Sequence, residues 1–426
     1  MVHETEKATN VASPKASDSD SLRPGIRTTF ASVIGLTLGP SAIAVLGFGV
    51  FVRPLEAEFG WTRTQVSLAS VIISWMIVLV SPLQGLLIDR FGARPVVLAS
   101  IPAFSAGIAA LYLLPNNLAV FYLMWVIIPV LAVGLWPLAY LKAVSTWFDR
   151  RLGLAIGIAN AGIGIGSALV PLIAGTLIAA YGWRSGYLGL AVIALVVTWP
   201  TAWLFLREQH AVDHRSQGLA TAAPPLFGVA FRDATRTRTF WLLAAAYFLL
   251  GVINTALITQ QIPMLIDSGL TPQAAAFVQS VFGIAMMVGR LGTGYIIDRI
   301  FAPRVMIVVA LGAAAACALY GIGVSGGMVY VCATLIGLVV GAEFDVLAFM
   351  IKRYFGILAY GKLYGVIFAI FQFGAGIGAA ALPISRGYFG SYTPGLYAFG
   401  IILVLSAAVF SRMGAYQFLP PPKATA

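Results

Sequence analysis

Residues 279–304 read QSVFGIAMMVGRLGTGYIIDRIFAPR, an apolar stretch with one charge in its interior, Arg290, that stops at Asp298-Arg299. Its length suits a membrane-crossing helix, which needs about 20 apolar residues. Counting back from Asp298 at a rise of about 1.5 Å per residue puts Arg290 about 12 Å inside the edge, near the bilayer midplane. A charge at that depth costs at least about 2.5 kcal/mol, so it faces a cavity or a partner rather than lipid. Gln279, Gly283, Met286, Arg290 and Gly294 recur at spacings of four and three, which makes one face small, soft or polar. That face either lines a pathway with Arg290 as its only full charge, or Arg290 snorkels to the interface or neutralises a buried acid such as Glu343.

The rest of the chain has the same character. Hydrophobic residues make up 60% of the 426 and charged ones 10%, with 45 glycines. No soluble domain of this length has such a composition. The apolar runs are long and lack ten-residue alternation, which argues for helices over an outer-membrane barrel. Twelve spans are predicted, at 28–52, 66–88, 95–114, 118–141, 154–180, 186–206, 240–262, 273–297, 304–322, 327–351, 363–387 and 394–411, numbered 1 to 12 below. The expected fold is an all-α integral membrane protein of twelve transmembrane helices in two six-helix pseudo-repeat bundles. Residues 28–206 form one bundle and 239–411 the other; a disordered cytosolic tail (1–27) precedes them, a cytosolic central loop (207–238) joins them and a second tail (412–426) follows.

The net charge of +11 would suggest nucleic acid in a soluble protein, but here it has a topological origin. One side of the membrane holds only Arg53, Arg63, Arg184 and Arg386; apart from Arg290, every other lysine and arginine falls on the side of the termini. The positive-inside rule then predicts a multi-pass inner (plasma) membrane protein with both termini cytoplasmic. Cys317 and Cys332 fall within apolar spans and give no disulfide framework, and no histidine lies in a span. No metal or other cofactor is expected, and nucleic acid is not a partner.

The halves read as repeats. Asp89-Arg90 after span 2 matches Asp298-Arg299 after span 8, Trp147-Phe148 matches Tyr354-Phe355, and GIGIGSALVP (162–171) matches GAGIGAAALP (374–383), each about 210 residues apart. Two six-helix halves with a site between them near the midplane describe a rocking transporter.

Three stretches resemble known families. GLLIDRFGARP (85–95) is similar to the signature between helices 2 and 3 of the major facilitator superfamily, G-x-L-x-D-R-x-G-x-R, through Gly85, Leu87, Asp89, Arg90, Gly92 and Arg94. GYIIDRIFAPR (294–304) is a looser second copy. The resemblance implies a cytosolic gate of Asp89, Arg90, Arg94, Asp298 and Arg299; the plainer reading is a turn with solvated charges. WFDRRLGLAIGIANAGIGIG (147–166) resembles the monocarboxylate transporter signature through Phe148, Arg150, Arg151, Leu154, Ala155, Gly157, Ala161, Gly162 and Gly166. Small residues there let helices approach closely. That family carries in helix 8 an arginine that binds the substrate carboxylate, and Arg290 stands at the corresponding place. Two features of its animal members are missing: their acid one turn earlier is Met286 here, and their helix 1 lysine has no counterpart. The related oxalate and formate exchangers add a lysine in helix 11, where this chain reads VIFAIFQFG (366–374) and offers Gln372. A lone arginine suits one carboxylate better than two, because it makes a single bidentate fork.

Other polar groups can complete a pocket or simply glue helices together. Asn160, Gly164, Ser167 and Pro171 share a face of span 5, with Asn160 placed in the pathway. Tyr247, Asn254 and Gln261 recur every seventh residue in span 7, Ser70, Ser74 and Ser81 share a face of span 2, and Trp136, Pro137 and Tyr140 form an aromatic kink in span 4. Substrate contacts are expected from Arg290, Asn160, Asn254, Gln261, Gln372 and Tyr140. Of the acids in GAEFDVLAF (341–349), Glu343 and Asp345 point about 200° apart on a helix, so one at most faces the pathway. Either can carry a proton, or pair permanently with Lys352, Arg353 or Arg304.

The leading expectation is a monocarboxylate:proton symporter, functioning as a monomer in the lipid bilayer and carrying a small organic acid with protons or against a counter-anion. Alternatives are an organic-anion exchanger and a drug or cation exporter of the same superfamily; the exporters' Gly-Pro pair in helix 5 is not formed here, Pro171 standing beyond Gly166. A sensor would need an output domain, and an enzyme a cluster of catalytic groups, and the sequence offers neither. Gly356 to Lys362 imitates a phosphate-binding loop, but Leu363 replaces its Ser or Thr.

Overall fold

The structure, a computed structural model, describes residues 18–209 and 228–418. Residues 1–17, 210–227 (with His210 and His214) and 419–426 lie outside the described residues, so the tail and loop expectations are addressed only at their edges. At the first edge, the helix of span 1 is described from Asp18 (Asp18–Thr37).

Among the described residues ten helices are long and apolar enough to cross a membrane. One of them, Leu152–Phe205, is 54 residues long and reverses at Gly182, whose φ of 80° suits a residue without a Cβ, so it holds spans 5 and 6. Span 4 is split into Leu118–Leu131 and Pro137–Ser145. Among the described residues this makes the twelve expected crossings. Spans 2, 7 and 8 are Arg63–Phe91, Arg238–Asp267 and Pro272–Ile297, started by Thr62, Thr237 and Thr271, whose hydroxyls accept from amides of the first turn. Spans 3, 9, 10 and 12 are Ala93–Ala110, Ala302–Gly321, Met328–Phe355 and Thr393–Ser411. Spans 1 and 11 depart from single helices: span 1 continues through a π-turn, Ser41–Leu46, into Gly49–Phe59, and span 11 is Tyr360–Gly378 followed by Ala381–Phe389. The helices are apolar all round, as membrane spans are. Leu79, Leu172, Val308 and Ile401 remain 62–70% exposed, the faces that lipid covers.

Two seams join the halves, span 2 against span 11 and span 5 against span 8. Near the termini both are tight because glycine meets glycine. A Cβ on Gly85 would lie 2.1 Å from the Gly361 carbonyl oxygen, and one on Gly153 would lie 2.2 Å from that of Gly294. Further along spans 5 and 8 the helices part, and Gly164 and Gly283 meet nothing within 4 Å. The molecule is therefore closed between its halves on the side carrying the termini and splayed along this seam toward the other.

The segments that follow each half return to the same side. Glu208, after span 6, accepts from the first amide of span 3 (Ala93 N, 2.9 Å), and Tyr416, after span 12, accepts from the first amide of span 9 (Ala302 N, 2.7 Å). Gln417 and Phe418 donate their amides to the Arg353 carbonyl at the end of span 10, at 3.1 and 2.9 Å. Helix ends leave such groups unpaired, and these residues satisfy them.

Candidate functional site

Where the span 5 and span 8 seam begins to open, Arg290 is 8% exposed. Its Nη1 donates to the Asn160 carbonyl across the seam at 3.1 Å. The closeness follows from Gly157, one turn before Asn160, where a Cβ would lie 2.9 Å from the Arg290 carbonyl. Among the described residues no carboxylate lies within ion-pairing distance (4.0 Å) of the guanidinium. Glu343 and Asp345 stand close enough to interact with it electrostatically.

The two acids of span 10 face different halves, as their angular separation requires. Glu343 turns into its own half: its Oε1 accepts from Asn254 Nδ2, and its carbonyl accepts from the Tyr247 hydroxyl at 2.7 Å. Asp345, wholly buried, crosses over, its Oδ1 accepting from Asn160 Nδ2. Asp345 Oδ2 and Asn160 Oδ1 are buried without a partner. Asn160 is thus held twice by the opposite half, through its carbonyl by Arg290 and through its carboxamide by Asp345. Neither acid pairs with Lys352, Arg353 or Arg304 within ion-pairing distance, so those candidate pairings are not formed; Lys352 and Arg353 reach the other half instead.

The remaining expected substrate contacts do not gather there. The Tyr140 ring packs against span 1 at Gly35, and its hydroxyl is buried without a partner. Gln261 donates to the Tyr320 hydroxyl at 3.2 Å, within the second half. Gln372 lines a separate cavity of about 330 Å³ between spans 2, 7 and 11, with Ser70, Ser74, Trp75 and Thr255. Spacing, an aromatic kink and a matching place in helix 11 singled these residues out but cannot say which neighbour each meets.

On the side of the termini, Asp89 and Asp298 each cap a helix of the opposite half. Asp89 accepts from the Gly361 and Lys362 amides at the start of span 11 at 2.9 and 2.8 Å, and pairs with Lys142 at 2.8 Å. Asp298 accepts from the Gly153 and Leu154 amides at the start of span 5 at 2.8 and 3.1 Å. A carboxylate there also meets the positive end of the helix dipole. Burial holds the Asp298 carboxyl above the usual carboxylate range, opposed by those amides and by Arg353 and Arg299. For the other three expected gate residues the contacts described lie inside their own halves. Arg90 lies over the Phe91 ring, Arg94 donates to the Trp203 carbonyl, and Arg299 donates to the Tyr295 carbonyl and stacks on that ring.

A further set was missed from the sequence. Lys352 crosses to the turn before span 5, donating to the carbonyls of Ser145 and Phe148 and pairing with Asp149 at 2.8 Å. Arg353 donates to the Asp149 carbonyl. Lys142 and Lys352 lie one repeat apart, so the repeat period was the signal that could have found them.

The Major Facilitator Superfamily profile matches residues 29–379. Human monocarboxylate transporter 11 is 26% identical over 80% of this chain and 72% of its own, and rat monocarboxylate transporter 13 is 28% identical over 85% and 83%. The E. coli fucose:proton symporter FucP superposes with a TM-score of 0.69 over 92% of this chain and 98% of its own at 13% identity, a likeness of fold. Asp89 and Asp298, each capping a helix of the opposite half on the same side, thus sit in a known architecture, and the chain belongs to the major facilitator superfamily, as a membrane transport protein and not an enzyme.

Proposed function

We propose that the protein is a secondary active transporter of small organic anions, a monocarboxylate:proton symporter that works by alternating access with Arg290 as the carboxylate anchor. The observation that carries this reading is Arg290 itself, buried at the seam with one hydrogen bond and no carboxylate at ion-pairing distance. A guanidinium there offers a bidentate fork to a carboxylate entering from the splayed side. Glu343 and Asp345 are the groups available to take up a proton beside it, and the named monocarboxylate relatives support this substrate class. Asp89 and Asp298 act as the gate that holds the side of the termini shut. The charge bias supports an inner (plasma) membrane setting with both termini cytoplasmic, so that this state faces outward, and each monomer contains a whole pathway.

The test is uptake into liposomes of a labelled panel of mono-, di- and aromatic carboxylates, with an inward proton gradient and then with unlabelled anion trapped inside. Gradient-driven uptake that disappears in Arg290→Lys is expected. Uptake only against trapped anion makes the protein an exchanger. Wild-type uptake by Arg290→Lys removes the anchor, and no uptake of any acid brings a cation exporter forward.

A further inference from the structure

We infer that the proton of this cycle is carried on Asp345 Oδ2, and that Asn160 makes opening of the side of the termini depend on it. The inference rests on the symport reading above and assigns its coupling step to one atom and one contact.

Of the two acids in span 10, only Asp345 touches the opposite half, through Asn160 Nδ2. Its Oδ1 is taken and its Oδ2 has no donor, although the residue is wholly buried. Glu343 keeps both its Asn254 and Tyr247 contacts whichever way the halves rock, since all three belong to one half. The charged and titratable groups facing Asp345 are Arg290 from span 8, Tyr247 from span 7, Tyr364 from span 11 and Glu343 from its own span. All of these travel with the second half. Asn160 alone comes from the first, so the Asn160 to Asp345 bond must break when spans 5 and 8 separate.

The charge on Asp345 decides what breaking that bond leaves behind. An ionised Asp345 that loses Asn160 becomes a buried charge stripped of its hydrogen-bond donor across the seam. A protonated Asp345 loses only a neutral contact, and the proton on Oδ2 is a donor in its own right. The seam therefore stays shut while Asp345 is ionised and is released when a proton adds to Oδ2. The proton enters from the splayed side, travels on the carboxyl as the halves rock, and leaves on the side of the termini, regenerating the carboxylate.

The experiment places spin labels at Phe91 and Leu358, exposed positions at that side on opposite halves, and follows their separation between about pH 5 and about pH 8. In the wild type the long-distance population should grow as pH falls. Asp345→Asn, a mimic of the protonated acid, should hold that population at least about fivefold above wild type at the alkaline end and abolish its pH response. Asn160→Ala should do the same from the other half, and it serves if Asp345→Asn does not fold. Combining the two should add nothing, because both remove one contact. In liposomes Asp345→Asn should lose proton-driven accumulation while anion exchange persists. A wild-type pH response in either variant, or additive effects in the double variant, would overturn the inference whatever Arg290→Lys does. Unimpaired uptake by Arg290→Lys overturns the anchor and leaves the label response intact.

Discussion

The two seams are built alike and charged differently. Gly157 packs on the Arg290 carbonyl in one, and Gly365 packs on the Ser81 carbonyl in the other, where a Cβ would lie 2.4 Å away. Ser81 stands one repeat before Arg290, so the same depth carries a guanidinium on one side and a hydroxyl spent on its own helix, at the Ile77 carbonyl, on the other. Sealing recurs in both halves and belongs to the architecture. The buried guanidinium and the acids near it occur in one half only, where the repeat was broken. The gate shows a smaller version of the same contrast: Asp89 has a lysine as well as two amides, and Asp298 has the amides without a lysine at ion-pairing distance.

Substitutions can break or sharpen this contrast. The largest effect is expected from Arg290→Lys, which should reduce uptake to background with normal amounts of folded protein, whereas Ser81→Ala at the matching depth should change uptake by less than about twofold. Next comes the gate. Asp89→Asn and Asp298→Asn each weaken two bonds from amides of the opposite half and should disfavour the closed state by about 1–3 kcal/mol; the Lys142 pair lies inside one half and is kept in either state, so the two effects should be similar. The labelled separation described above reads both. A clearly larger effect of Asp89→Asn would show that Lys142 strengthens the seal from within its own half. Gly153→Ala and Gly361→Ala should each shift the same equilibrium by about 1–3 kcal/mol through overpacking, one per seam; insensitivity in one would show that its seam is not closed in solution.

The smallest effects belong to the side away from the termini, where each half has its own latch. Glu58 pairs with Arg184 in the first half, and Asp267 pairs with Arg386 at 2.9 Å in the second. The Arg184 guanidinium holds the Glu58 carboxyl below its usual range, with burial opposing. A depressed value means that the contribution is present above the ordinary glutamate range and is lost as pH falls through the lowered value. Both partners are partly exposed, so Glu58→Gln should cost less than about 1 kcal/mol in thermal unfolding at neutral pH, and nothing in acid.

The span pattern, the two-fold repeat and the matched positions of Asp89 and Asp298 were legible because each is a statement about spacing along one chain. Arg290 stood out because a charge at that depth is expensive. Gln261 was grouped with it by its polar face, Tyr140 by an aromatic kink and Gln372 by its place in helix 11, yet none of these signals chooses among the neighbours a residue meets. Tyr140 meets Gly35, Gln261 meets Tyr320, and Gln372 opens on a different cavity. Glu343 and Asp345 could be separated by helix geometry, but not assigned to halves, because that depends on how span 10 is rotated in its bundle. Lys352 and Lys142 lay at span ends, where a lysine reads as an ordinary topological charge until the partner turn is seen.

The extra lysine at Asp89 takes on another meaning when the order of synthesis is considered. Asp89 is translated long before Gly361 and Lys362 exist, and within the first half Lys142 is the partner that can neutralise it once span 4 has entered the membrane. Asp298 emerges after span 5 is complete, so the Gly153 and Leu154 amides already stand ready and no placeholder is required. Lys352 is thereby released to clamp the Ser145 to Asp149 turn. The imbalance between two otherwise matching gates records which half of the molecule had to wait for the other.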